Sequence, residues 1–151
     1  MAGLLLTLSL FSSPSAGETF RDVLSVSQSE IGLSHASGFD VITLKDGRFL
    51  GTPGDPAVPA LAVQYNVPAG RRVKGFRIVD EQWVSLGAGF MPMPVQREAR
   101  SGEHVDFQPP TAEEYVSGDW YPGEVLEYTG GGYLRGRRIE GFVLRPVRYK
   151  G

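Results

Sequence analysis

Glycine and proline recur along this chain so often that few windows remain for an amphipathic helix. The 151 residues include 20 glycines and 11 prolines, and each costs a helix backbone entropy or a hydrogen-bond donor. Between them lie short apolar runs: "DVLSVS", "FDVITL", "LAVQYNV", "RVKGFRIV", "QWVSLG" and "GFVLRPV". Runs of this length bounded by turn residues are strands. Many of them in succession predict an all-β fold, an antiparallel β-sandwich of jelly-roll-like form in a single domain. "LKDGRFL" sets Asp46-Gly47 between apolar flanks and predicts a hairpin, because both residues tolerate positive φ. "PTAEEYVSGDW" predicts one short helix. Thr111 would cap it, Glu113 and Glu114 suit its positive first turn, and Gly118 ends it. The polar strip just before it, residues 96–110, predicts a long exposed loop with few anchors.

Several function classes are excluded by composition. The formal net charge is -2, which argues against a general nucleic-acid binder that must displace counterions. Cysteine is absent, so these residues hold no disulfide, thiolate metal site or cysteine nucleophile. The two histidines, His35 and His104, stand in separate polar settings, and no serine sits in a nucleophile elbow. Neither a metal site nor a cofactor site is predicted, since the carboxylates are not clustered at ligand spacing. "YTGGGYLRG" lacks the ending of a phosphate loop, and Gly130–Gly132 are expected in a loop between strands. No enzyme is therefore expected within these residues.

The first 17 residues read as a secretory leader. The apolar stretch Leu4–Phe11 is followed by a small-residue cleavage site around Ser15–Gly17. It is too short to span a bilayer, so stable membrane insertion is not expected. No basic residue precedes it, and the same stretch also reads as a first strand. As a leader it implies export, to the periplasm or beyond, with residues 18–151 as the mature domain.

"YLRGRRIEGFVLRPVRYKG", at Tyr133–Gly151, combines strand-forming residues with arginine. Ile139, Phe142, Val143, Leu144 and Val147 supply a buried side. Gly141 and Pro146 point to an edge strand or a bulge, and Arg137, Arg138, Arg145 and Arg148 are expected to face solvent. Elsewhere, Trp83, Trp120 and Tyr121 could make a stacking platform, which keeps open a stand-alone carbohydrate-binding module.

A series of short motifs resembles the N-terminal propeptide of gingipain-type (C25) cysteine peptidases. They are "GDPAVPAL" at Gly54–Leu61, "NVPAGRRVKGFRI" at Asn66–Ile78, "MPVQRE" at Met93–Glu98, "WYPGEVLEY" at Trp120–Tyr128 and "GGYLRGRRIEGFVLRPVRY" at Gly131–Tyr149. The resemblance runs from Phe20 onward. It departs at Arg148, where the family usually has glutamine, and the family continues with further strand-forming sequence. The resemblance implies a non-catalytic domain, lacking C-terminal strands, that keeps a downstream cysteine peptidase of the same polypeptide latent and assists its folding. It implies that the nucleophile lies in that other domain. In arginine-specific members a basic side chain enters the specificity pocket. Arg97 and Arg100 on the polar strip are the candidates for that contact, and Arg135, Arg137 and Arg138 for a basic strip facing the partner.

Overall fold

The computed structural model describes residues 2–13 and 18–151. The expected leader cleavage site at Ser15–Gly17 lies outside the described residues, and Ala2–Ser13 forms a strand, β1. The other strands are β2 (Glu18–Ser25), β3 (Ile31–Ala36), β4 (Phe39–Leu44), β5 (Arg48–Phe49), β6 (Pro59–Val67), β7 (Arg72–Ser85), β8 (Trp120–Tyr121), β9 (Leu126–Leu134), β10 (Arg137–Leu144) and β11 (Val147–Lys150). All their pairings are antiparallel. The expected antiparallel all-β sandwich is what the chain forms.

One sheet is built around β1. It pairs with β7 along its length, from Ala2↔Ser85 to Ser13↔Arg72. Its other edge pairs with β2 through Leu5–Ser12 and with β11 at Ala2 and Gly3. Strand β8 extends this sheet from β11. The second sheet runs β5-β6-β10-β9, and β3 and β4 form a separate pair. The main core lies between the two sheets, where Phe142, Leu144, Leu126 and Val125 pack against Leu24, Val73, Phe76, Ile78 and Trp83. Alternation along β10 sets this up: Glu140, Phe142 and Leu144 are buried on one face, as a strand's two-residue period requires. A second cluster joins Ile42, Val58, Tyr115, Val147 and Tyr149.

Four expectations change. Gly130–Gly132, expected in a loop between strands, lie inside β9, opposite Gly141, Glu140 and Ile139 of β10. Strand β10 is interior, between β6 and β9, so the edge alternative falls, while the bulge alternative stands, because its register with β9 shifts between Gly141 and Phe142; the buried Pro146 falls in the break between β10 and β11, so it removes no ladder bond. Asp46 does take positive φ and Gly47 N–H donates to Leu44 O at 2.9 Å. This turn joins no hairpin, however, because β4 pairs with β3 and β5 with β6. The tight hairpins turn instead at Ser37-Gly38 (φ 54° and 84°) and Arg135-Gly136 (φ 49° and 77°), both central residues having the positive φ that matches strand twist. The helix α1 is Ala112–Val116, preceded by Thr111 and followed by Gly118 at φ 71°. Thr111 makes no side-chain cap; its N–H goes to Gly54 O at 2.7 Å.

A loop on a rigid platform as the candidate protein-binding site

The segments "GDPAVPAL" and "MPVQRE" come together as a platform. Gly54 N–H donates to Val95 O (2.9 Å), Val95 N–H to Asp55 O (2.8 Å) and Ala57 N–H to Met93 O (2.8 Å). Pro56 bridges Pro94, and both prolines are fully buried. Gly54 has φ 100°, and a Cβ there would collide with Thr111 Oγ1. A side chain is thus excluded by conformation and by space. Asp55 accepts from Thr52 N–H at 2.9 Å and from the Tyr121 hydroxyl at 3.4 Å. Burial pushes the Tyr121 hydroxyl pKa up to about 12, and the Asp55 charge adds to this.

From the platform rises the predicted loop, and it is better anchored than its composition suggested. Gln96 clamps its neck: Oε1 accepts from Gln108 N–H at 2.9 Å, while Nε2 donates to Gln108 O at 3.1 Å and Pro94 O at 2.9 Å. Phe107 packs on Phe39, with ring centroids 5.8 Å apart. At the tip, Glu103 N–H donates to Arg100 O at 2.9 Å, and Glu103 Oε2 accepts from Arg100 N–H at 3.2 Å. Gly102 supplies φ 81°. The closed neck and self-contained tip make this a compact surface loop of the Ω type.

The two candidate arginines on the loop differ. Arg97 is ion-paired with Glu103. Arg100 is exposed at the turn, with no ion pair from its guanidinium among the described residues. Beside the loop base lies a groove of about 790 Å³, lined by Ile42, Phe49, Leu50, Met93, Val95 and Arg97 among others. Phe49 and Leu50 expose 47% and 43% of their surface there; such apolar exposure beside polar groups suits a protein contact.

Arg135, Arg137 and Arg138 lie elsewhere. Their hairpin stands beside the Val67 end of β6, since Arg138 pairs with Val67, whereas the platform adjoins the Pro59 end. The nine residues of β6 span about 26 Å at some 3.3 Å per residue between the hairpin end and the platform end. Arg135 and Arg137 are exposed. Arg138 is not a free surface cation: its Nε donates to Glu140 at 2.7 Å and its guanidinium stands 5.6 Å from the Tyr133 ring.

Glu140 is fully buried and explains the glycine at 131. Tyr128 donates to it at 2.5 Å, and a Cβ on Gly131 would collide with its carboxylate. Burial alone would raise its pKa. The Tyr128, Arg138 and Val73 N–H donors outweigh this and hold it below the ordinary value. Because Val73 belongs to β7, this carboxylate ties the two sheets together.

Of the four arginines expected to face solvent, Arg137 does, and Arg145 and Arg148 are engaged like Arg138. Arg145 Nη2 donates to Glu127 at 2.6 Å. Arg148 stands 5.5 Å from both the Trp83 and the Trp120 ring centroids, and donates to Pro122 O and Gly123 O. Lys150 is 5.9 Å from Trp120. The carbohydrate platform therefore has its tryptophan faces taken by cations, and its third member, Tyr121, is half-buried against Asp55. His35 reaches Asp40 at 3.3 Å, while His104 and Asp106 form a separate exposed pair at 3.5 Å. Among the described residues the two pairs share no partner.

No family profile and no curated protein matches the sequence. Two solved structures share its fold. One, concerning the zymogenic latency of gingipain K from Porphyromonas gingivalis, is 27% identical. The match covers 80% of this chain and 70% of that one, with a TM-score of 0.57. The other is a complex of the pro- and mature domains of RgpB from the same organism. It is 17% identical, with 80% of this chain and 64% of that one covered and a TM-score of 0.58. The chain thus spans under two thirds of the second protein's matched chain. The resemblance to gingipain propeptides that the motifs carry is also a likeness of fold.

Proposed function

We propose that this domain is the latency-maintaining propeptide of an exported gingipain-like cysteine peptidase carried on the same polypeptide, and that it assists folding of that peptidase. The observation that carries the reading is the loop at residues 96–110: an exposed Arg100 at its tip, a clamped neck and a hydrogen-bonded base, beside an apolar groove. A blocking segment must be held in one shape, because ordering a floppy one on binding costs affinity. Arg100 is the residue offered to an arginine-selective pocket. Arg97 shapes the loop through Glu103, and the groove receives apolar residues of the peptidase surface. The chemistry belongs to the other domain. Residues 1–17 serve as the leader, with release to the periplasm or the exterior.

The test is direct. The peptidase domain from the same gene, assayed with and without the separately folded propeptide, should lose activity on addition of stoichiometric propeptide and regain it on dilution. Full activity at saturating propeptide, with circular dichroism showing a folded β domain, sinks the proposal.

A further inference from the structure

An arginine offered to an arginine-selective pocket brings with it the bond that such a peptidase cuts, here Arg100–Ser101. Filling the pocket and being hydrolysed differ in what they ask of the backbone. Hydrolysis needs a nucleophile at the Arg100 carbonyl carbon and the carbonyl oxygen aimed at oxyanion donors. In a cysteine peptidase the thiolate forms a bond to that carbon. The C–N bond to Ser101 breaks, the Ser101 nitrogen takes a proton, and water then frees the Arg100 carboxyl from the thiol. Both steps need the Arg100 backbone free to lie against the catalytic groups.

In this loop it is held elsewhere. Arg100 O accepts from Glu103 N–H at 2.9 Å, and Arg100 N–H donates to Glu103 Oε2 at 3.2 Å. One residue thus engages both backbone groups of Arg100. The other carboxylate oxygen of Glu103 is ion-paired with Arg97, which leaves Oε2 to the Arg100 N–H. Gly102, the third residue of the turn, has φ 81°, the sign that a type II turn requires at that place. A side chain there is strained by the backbone alone, since a Cβ meets nothing within 4 Å. Arg100 is exposed, yet its carbonyl is turned into the closed turn.

We propose that Glu103 is a turn lock. It withholds the Arg100–Ser101 bond from an arginine-specific peptidase whose pocket holds Arg100, and so makes the loop an inhibitor instead of a substrate. Glu103 is a positioning residue: it acts through the Arg100 backbone and through Arg97. The inference takes its partner from the latency reading, but the lock lies in this chain, so trypsin, which also cuts after arginine, reads it separately.

The full chain, Gly102→Ala and Glu103→Ala are each checked for folding by circular dichroism and treated with trypsin. Cutting of Arg100–Ser101 is timed by mass spectrometry. Free peptides of residues 96–110 with the same changes serve as unfolded controls for the effect of sequence on trypsin. In the folded chain both variants should be cut about tenfold or more faster than wild-type, as expected for loss of a hydrogen bond to a charged group. In the peptides the same changes should alter the rate far less. Against the peptidase of the same gene, wild-type inhibition should persist, while inhibition by either variant should lapse as Arg100–Ser101 is cut. Equal cutting of wild-type and both variants, equal acceleration in chain and peptides, or inhibition by both variants that persists as wild-type does overturns the lock. A peptidase that no form inhibits, with the trypsin difference present, counts against latency and leaves the lock standing.

Discussion

Gln96 holds Gln108 by both of its backbone groups, accepting from N–H at 2.9 Å and donating to C=O at 3.1 Å. One side chain therefore closes the neck of an exposed loop whose ends would otherwise drift apart. Gln96→Ala removes both bonds and should loosen the loop without unfolding the sandwich, at a cost of about 1–3 kcal/mol. Limited trypsin digestion checks this: wild-type should be cut first after Arg97 or Arg100, and the variant faster at the same places. First cuts at Arg72 or Arg77 would count against the loop as the exposed element.

Gly131 and Glu140 should prove inseparable. Gly131→Ala places a methyl group against a buried carboxylate fixed by three donors, so the sheet must shift. Overpacking of this kind costs about 1–3 kcal/mol. Gly132→Ala is the control, because a Cβ there meets nothing within 4 Å. Urea midpoints of the two variants should differ clearly. Equal midpoints would mean that the glycine run does not make room for the carboxylate.

Acid should weaken the fold through Glu140. Its pKa is lowered in the folded state relative to about 4.3 when unfolded. Its stabilising contribution is therefore complete above the unfolded value and is lost as pH falls through the folded value below it. Asp40, lowered first by the Met91 N–H and then by His35, acts in the same direction. Stability should be flat from pH 5 to 8 as far as these groups are concerned, and should fall below about pH 4. Glu140→Gln should reduce the acid slope; an unchanged slope would remove Glu140 from the account.

Arg148 over Trp83 and Trp120 predicts that the aromatics stabilise rather than bind sugar. Arg148→Ala should cost about 1 kcal/mol or more through lost stacking and shift the tryptophan fluorescence. The wild-type domain should not be retained on insoluble polysaccharide. Retention abolished by Trp120→Ala would restore the carbohydrate reading.

Much of the fold was legible because burial writes itself as alternation. Phe142 and Leu144 announce a half-buried strand, and glycine and proline mark its neighbours. Pairing partners were less legible. Asp46-Gly47 has the local chemistry of a hairpin, but β5 finds β6 through long-range packing. Ser37-Gly38 and Arg135-Gly136 carry the real hairpin turns with weaker signals. The arginines misled for a related reason. Their spacing says nothing about a buried acid such as Glu140, or about tryptophans distant in sequence, so Arg138, Arg145 and Arg148, which read as solvent-facing, are tied down, while Arg137 is exposed as read. In the loop, charge and exposure were visible. The Gln96–Gln108 clamp was not, because a glutamine that caps backbone looks like any polar residue. A glutamine flanking a long polar strip, with a second one twelve residues on, was the available signal.

Latency by the loop tip is the central claim, and Arg100 tests it most directly. Inhibition constants against the peptidase of the same gene are measured for wild-type, Arg97→Ala and Arg100→Ala, each in a chain extended to the peptidase boundary and checked for folding. A paired guanidinium lost from an interface costs about 2–5 kcal/mol, roughly thirtyfold or more in affinity at about 1.4 kcal/mol per tenfold. Arg100→Ala should weaken inhibition by that factor, and Arg97→Ala by less, since it acts through Glu103. Undiminished inhibition by both variants would contradict the account and move the contact to the opposite end of the sandwich, at Arg135, Arg137 and Arg138.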